Sequence, residues 1–149
     1  MRVSVVGGSE VTDDEATIAE SVGRELADRG HVTVCGGLGG TMEAVCRGAK
    51  RAGGETIGIL PVAEYDAANP HVDVAIATGM GHARNALVAM NGDGVIALAG
   101  GPGTLSEIGL GLAMDRPVVG VGTHDVAGVV AVDGARAAVD RLEASLGVD

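Results

Sequence analysis

Val95-Ile96-Ala97-Leu98-Ala99-Gly100-Gly101-Pro102-Gly103-Thr104-Leu105-Ser106-Glu107 joins an apolar run to a glycine turn and then to a periodic segment. Val95 to Leu98 is uncharged and has the composition of a buried strand. Leu105, Ile108, Leu112 and Ala113 recur at helical spacing, which predicts a helix with that face turned inward. The expected unit is strand, turn, helix. Gly100, Gly101 and Gly103 let the backbone approach a ligand that a Cβ would hold away. The free N–H groups of the helix's first turn, Thr104 among them, favour an anion, and phosphate is the obvious candidate.

The same unit recurs on either side of this stretch. Arg2 to Val6 is an apolar strand ending in Gly7-Gly8-Ser9. Thr12 and Glu15 then match a capping box, with Ile18, Val22 and Leu26 on the inner face of the helix and Gly30 just past its end. His31 to Cys35 leads into Gly36-Gly37-Leu38-Gly39-Gly40-Thr41. The helix that follows, from about Met42, carries Met42, Val45, Ala49 and Ala52 on one side and stops at Gly53-Gly54. Glu55 to Leu60 is a third strand. Pro61 to Asp73 is the longest irregular stretch, of a length more often functional than accidental. Val74 to Thr78 is a fourth strand, broken by Gly79-Met80-Gly81. The next helix is expected to bury Ala83, Ala86, Leu87 and Met90 and to turn His82, Arg84 and Asn85 to other faces. Pro117 to Gly122 and Val129 to Val132 supply two more strands, and Asp133 is the expected cap of a terminal helix.

Continuous Val/Ile strands alternating with helices describe an α/β protein with a doubly wound, mainly parallel sheet. The expectation is one Rossmann-like domain over residues 1–149 with strand order 3-2-1-4-5-6. Ligands of such sheets bind beyond the carboxyl ends of the strands, at the switch point, here expected between the first and fourth strands. The clusters Gly7-Gly8-Ser9, Gly36 to Thr41, Gly79 to Gly81 and Gly100 to Thr104 all follow strands and converge on that edge. A small phosphorylated ligand follows. The glycines do not spell a dinucleotide fingerprint, and the cluster at 36–41 lacks the Lys of a P-loop, which disfavours an NAD dehydrogenase or an NTPase.

Composition narrows the partners. The formal net charge is −10 over 149 residues, which argues against nucleic acid and anionic membranes. With no Trp or Phe, the core must come from Val, Ile, Leu, Ala and Met. Lys50 is the only Lys, a balance that fits either a high-salt habitat or a GC-rich genome. Cys35 and Cys46 have no metal-ligand spacing and read as buried free thiols in a reducing cytosol. His82 and His124 stand alone, so no metal site is expected. The chain enters its first strand at once and has no run of transmembrane length, so the expected location is the cytoplasm.

Three segments together resemble the Lonely Guy (LOG) family, long mislabelled as lysine decarboxylases. They are Gly36-Gly37-Leu38-Gly39-Gly40-Thr41-Met42-Glu43-Ala44, Thr78-Gly79-Met80-Gly81-His82-Ala83-Arg84-Asn85, and Gly100-Gly101-Pro102-Gly103-Thr104-Leu105-Ser106-Glu107. The resemblance covers about residues 2–122. It implies a Rossmann-like homo-oligomer, usually a dimer, that cleaves the N-glycosidic bond of nucleoside 5′-monophosphates without a cofactor. Arg84 and Glu107 would be its catalytic pair. Ala99, Ser106 and Asn85 depart from the family's usual Pro, Glu and Lys. Those departures look more like the branch of molybdenum cofactor carrier proteins, which implies binding of a pterin phosphate, the molybdenum cofactor itself, without established catalysis. Asn85 joins the candidate ligand-binding residues on this account. Structural readings stand beside these. Thr104 and Glu107 also match a capping box, and Arg84 could be a surface ion pair worth little.

Overall fold

The computed structural model describes residues 1–148. Seven strands, β1 (Arg2–Val6), β2 (Val32–Cys35), β3 (Thr56–Leu60), β4 (Val74–Ala77), β5 (Gly94–Ala97), β6 (Val118–Gly120) and β7 (Val129–Ala131), form one sheet. Every neighbouring pair is parallel, with Val5 opposite Ile96 and Val34 opposite Ile57. The helices are α1 (Asp13–Asp28), α2 (Thr41–Arg51), α3 (Asn85–Asn91), α4 (Pro102–Ala113) and α5 (Ala135–Leu146). One core layer gathers Val3, Val5, Val22, Leu26, Val45, Ile96 and Leu142 beneath α1, α2 and α5. The other gathers Val6, Val34, Ile59, Val88, Val95 and Ile108 beneath α3 and α4. The doubly wound character read from the sequence is present.

The strand order is β4-β3-β2-β1-β5-β6-β7, which corrects the expected 3-2-1-4-5-6. The fourth strand lies outside β3 at the sheet edge, and β5 takes the place beside β1. The segment joining β3 to β4 carries only a single 3-10 turn at Tyr65–Ala67, so the chain winds on by one strand instead of reversing. Reversal waits until after β4, when the chain crosses back through α3 to reach β5. The switch point is therefore between β1 and β5.

Two helix faces also differ from the periodic reading. In α3 the buried residues are Asn85, Val88 and Ala89, with Arg84 buried in the turn before it, while Met90 is 48% exposed. The helix is entered through a 3-10 turn, Gly81–Arg84, whose tighter winding shifts the angular phase. In α4 the inner face is Thr104, Glu107, Ile108 and Gly111, and Leu105 is 44% exposed. Pro102 opens this helix at its first position, as its fixed φ and missing N–H allow. Thr104 is thus already inside the helix and caps nothing, and Glu107 belongs to the second turn. Elsewhere the Thr12–Glu15 capping box is formed in both directions, whereas Ile18 is exposed and only Val22 and Leu26 of the expected α1 face are buried. Gly134, not Asp133, holds the N-cap position of α5, with φ 92° and no side-chain cap.

α1 and α2 pack at backbone distance. A Cβ on Gly23 would strike the Val45 carbonyl and lie 2.8 Å from the Ala49 nitrogen, and one on Gly48 would strike the Glu20 carbonyl. The far end of the sheet is tied by charge. Arg29 pairs with Asp140 at 2.6 Å, Glu143 at 2.9 Å and Glu25 at 3.1 Å, and His31 Nε2 lies 2.7 Å from Glu143. No helix among the described residues is long and apolar enough to cross a membrane.

Candidate ligand-binding site

A cavity of about 420 Å³ opens beyond the carboxyl ends of the central strands, where the strand order reverses. Four separate segments wall it: Val5 and Val6 at the end of β1 with Gly7 to Ser9 after it, Gly36, Leu38 and Met42 after β2, Pro61 with Gly81, His82, Arg84 and Asn85, and Gly101 to Thr104 with Glu107. Each wall begins where a strand ends, and the glycines at 7–8, 36, 81, 101 and 103 bring backbone to the edge beside the side chains of Arg84, Asn85 and Glu107.

Arg84 is 9% exposed and is no surface ion pair. Its Nε donates to the Ile59 carbonyl at 2.9 Å, one Nη to Asn85 Oδ1, and the other to the Gly36 carbonyl at 3.4 Å, with Met42 Sδ 3.9 Å away. A Cβ on Gly36 would lie 2.5 Å from that second Nη, so only glycine leaves the guanidinium its seat. Burial pulls the Arg84 pKa down, and the charges of Glu107 and Cys35 oppose it.

Asn85 is almost fully buried and links this cation to the glycine turn before α4. Its Nδ2 donates to Ser106 Oγ at 3.1 Å, and Ser106 Oγ donates to the Gly103 carbonyl at 2.6 Å. From the β6–β7 loop, His124 Nε2 lies 3.1 Å from the carbonyl of Gly101 in the same turn. Gly103 and Thr104 are the second and third residues of α4, so their N–H groups have no helical acceptor and sit in the cavity wall.

Glu107 faces the same cavity at 7% exposure. Burial raises its pKa from 4.5 to about 7, Arg84's charge opposes the rise, and no hydrogen bond contributes. The two groups form no salt bridge with each other. The cavity therefore holds one pinned cation, one unpartnered carboxylate and a row of backbone donors, an arrangement suited to an anionic ligand that also carries N–H or O–H donors.

Of the residues singled out by sequence, Gly7, Gly8, Ser9, Gly36, Arg84, Asn85, Gly101, Gly103, Thr104 and Glu107 meet at this cavity. Gly37, Gly39, Gly40, Thr41, Gly79 and Gly100 lie outside its lining. Several of these stitch the loops together. Thr41 N donates to the Gly8 carbonyl at 3.0 Å, and Gly8 N donates to Ala99 at 2.8 Å. Gly100 leaves room for Thr104 Oγ1, and Gly40, at φ 63°, lies against the Gly8 and Ser9 carbonyls. Asn69, read as a turn residue, also ties the long loop to the second turn, its Nδ2 donating to the Leu38 carbonyl at 2.8 Å. Tyr65 is exposed and away from the cavity.

Met42, Pro61 and His82 also line the cavity and were given no binding role by sequence reasoning, whereas Leu38, Gly81 and Pro102 lie within the glycine clusters expected at this edge. Position was the available signal: each lies in or next to a turn that ends a strand. No cluster of three or more metal-ligating side chains occurs among the described residues.

A model of the SLOG cluster4 family matches residues 1–143. The molybdenum cofactor binding protein of the phototrophic bacterium Rippkaea orientalis is 32% identical, with a TM-score of 0.92 over 97% of this chain and 96% of that one. The molybdenum cofactor carrier protein of Chlamydomonas reinhardtii is 30% identical, with a TM-score of 0.88 over 98% of each chain. An uncharacterized protein of Archaeoglobus fulgidus is 43% identical over 118 residues, which cover 79% of this chain and 78% of that protein.

Proposed function

The chain belongs to the SLOG cluster4 family, and we propose that it carries a phosphorylated pterin of the molybdenum cofactor type in the cavity between β1 and β5. The observation that carries this reading is Glu107, a buried carboxylate with no partner in the protein, sharing a cavity with the pinned Arg84. A pterin phosphate supplies what both lack. Its phosphate fits the N–H groups of Gly103 and Thr104 together with Arg84, and its ring N–H donors fit the Glu107 carboxylate. Leu38, Met42 and Pro61 offer the apolar walls a flat heterocycle needs. Two full-length structural neighbours described as molybdenum cofactor proteins support the choice.

A second reading uses the same groups for chemistry, as in the LOG family. Hydrolysis of a nucleoside 5′-monophosphate passes through a ribosyl cation, and an unpaired carboxylate is suited to stabilise that charge and orient water. Arg84 would hold the 5′-phosphate. Glu107's freedom from any protein partner is what favours this alternative, and no cofactor enters it.

The outer faces of α3 and α4 support self-association. Glu107 is the only charged residue in the two helices and points inward, while Met90 and Leu105 are exposed. A second copy of the chain is the proposed occupant of this face.

The test has two arms. Protein isolated from a molybdenum-replete host should release a pterin that fluoresces after oxidation, and Arg84→Met should lose it. Incubation with AMP, GMP, IMP and CMP should release no free base. Base release that Glu107→Gln abolishes would replace the carrier reading by the hydrolase one.

A further inference from the structure

Cys35 and Cys46 are both fully buried, and their Sγ atoms lie 3.5 Å apart in mutual hydrogen-bond contact. Cys35 ends β2, and Cys46 sits midway along α2, so the pair bridges the two elements flanking the second glycine turn. The Gly37 N–H donates to Cys35 Sγ at 3.4 Å. The residue between them, Gly36, carries the carbonyl that receives Arg84 and the bare Cα on which its guanidinium rests. Neither thiol takes part in the binding chemistry described above.

We propose that Cys35 and Cys46 are a redox-convertible dithiol whose oxidation reshapes the cavity wall at Gly36. The step is thiol–disulfide exchange with a small disulfide, which meets the buried pair when the second glycine turn opens locally. Cys35 Sγ, as thiolate, attacks one sulfur of the oxidant and expels the other half as a thiol. Cys46 Sγ then displaces the remaining half, also as a thiol. Two protons and two electrons leave the protein, one S–S bond forms in it, and one S–S bond breaks in the oxidant.

Three features favour this chemistry at this pair. The Gly37 N–H donates to Cys35 Sγ, a hydrogen bond that favours ionisation of this thiol despite its burial and makes it the nucleophile. The Cys46 thiol, pushed up by its contact with Cys35 and by burial, keeps its proton until the second step. A disulfide needs the sulfurs at about 2.05 Å, a closure of roughly 1.5 Å from the present separation. α2 is locked to α1 by the contacts at Gly23 and Gly48, and the Cys35 backbone is held in register against Gly58, so the closure falls first on the two side chains. Drawing Cys35 Sγ towards Cys46 takes it from the Gly37 N–H, and the strain passes to the turn at Gly36 on which Arg84 rests. This holds whichever ligand the cavity takes.

The experiment equilibrates the intact wild-type protein in dithiothreitol buffers of graded oxidised fraction, followed by alkylation, peptide mapping and amide hydrogen exchange. The expected result is loss of both alkylatable thiols together, a cross-linked peptide containing Cys35 and Cys46 within one chain, and full recovery on reduction. The Gly37 amide should exchange about tenfold faster in the oxidised form, because drawing Cys35 Sγ towards Cys46 breaks the hydrogen bond that the Gly37 N–H donates to it. Cys46→Ser should retain an alkylatable Cys35 and an unchanged Gly37 exchange rate across the same buffers. Thiols that stay reduced in every buffer, or that link only between chains, would overturn the dithiol. An intrachain disulfide that leaves Gly36 to Gly39 exchange unchanged would overturn its coupling to the cavity.

Discussion

Replacing Glu107 by Gln should make the folded protein more stable, and only above mildly acid pH. In the folded state the carboxyl titrates at about 7 against an ordinary 4.5. Below pH 4.5 it is protonated whether the chain is folded or not, and the carboxyl behaves like the amide. Between 4.5 and 7 the folded state binds more protons than the unfolded one, so stability falls as pH rises. The interval is roughly 2.5 pH units, and at about 1.36 kcal/mol per unit the loss is complete near pH 8 at about 3 kcal/mol. Glutamine fills the same space without the charge and escapes that loss. Urea unfolding of both proteins from pH 4 to pH 8.5 would measure it. The two midpoints should lie close together at pH 4 and separate by about 2 M at pH 8, given a slope near 1.5 kcal/mol per molar for a chain of this size. Parallel curves, or a variant less stable than the parent at pH 8, would refute the claim that an unpartnered carboxylate is buried at this position.

Three further outcomes follow from the packing. Gly36→Ala should leave the fold within about 1–2 kcal/mol of wild type by urea unfolding, because the new Cβ meets only the ends of Arg84 and Met42. It should nevertheless weaken binding of a pterin or nucleotide monophosphate by tenfold or more in calorimetric titration, on the order of one charge-assisted hydrogen bond. Gly48→Ala should destabilise by about 3 kcal/mol or more, since its Cβ meets the Glu20 backbone. Helix propensity alone would give a gain of about 1 kcal/mol, so a urea midpoint above wild type would sink the packing argument. Leu105→Asp should leave the circular-dichroism spectrum unchanged while lowering the mass seen by light scattering to that of one chain.

The strands and the edge they point to were legible because apolar runs followed by glycine turns can hardly be read otherwise, and the Thr12–Glu15 box marked α1 correctly. The place of β4 was not legible. Adjacency at a sheet edge depends on which way a crossover turns, and the irregular segment 61–73 has no helical period to indicate it. The inner faces of α3 and α4 were misread for a different reason. Periodicity assigns apolar residues inward, but over a cavity the inward positions hold Arg84, Asn85, Thr104 and Glu107, and Met90 and Leu105 are left outside. Pro102 was the overlooked marker in α4: a proline suits the first helical position, which removes Thr104 from the cap. The closeness of Cys35 to Cys46 depends on how α2 lies on the sheet, which eleven residues of spacing do not specify.

The walls of the cavity are drawn from residues 5–9, 36–42, 61, 81–85 and 101–107, and this sets when the protein can first do its work. A nascent chain that has released β1 to β4 from the ribosome presents an open edge at β1, because the strand that pairs there, β5, has yet to be made. No partial site precedes the complete one: Arg84 has its seat before α4 exists, but Glu107 and the α4 donors arrive only with the last of these segments. The proposed ligand can therefore be held only once α4 has been made and folded. A ligand bound as proposed would span both sides of the switch point, clasp the early-made segments to the late-made ones, and so protect the folded chain from proteolysis.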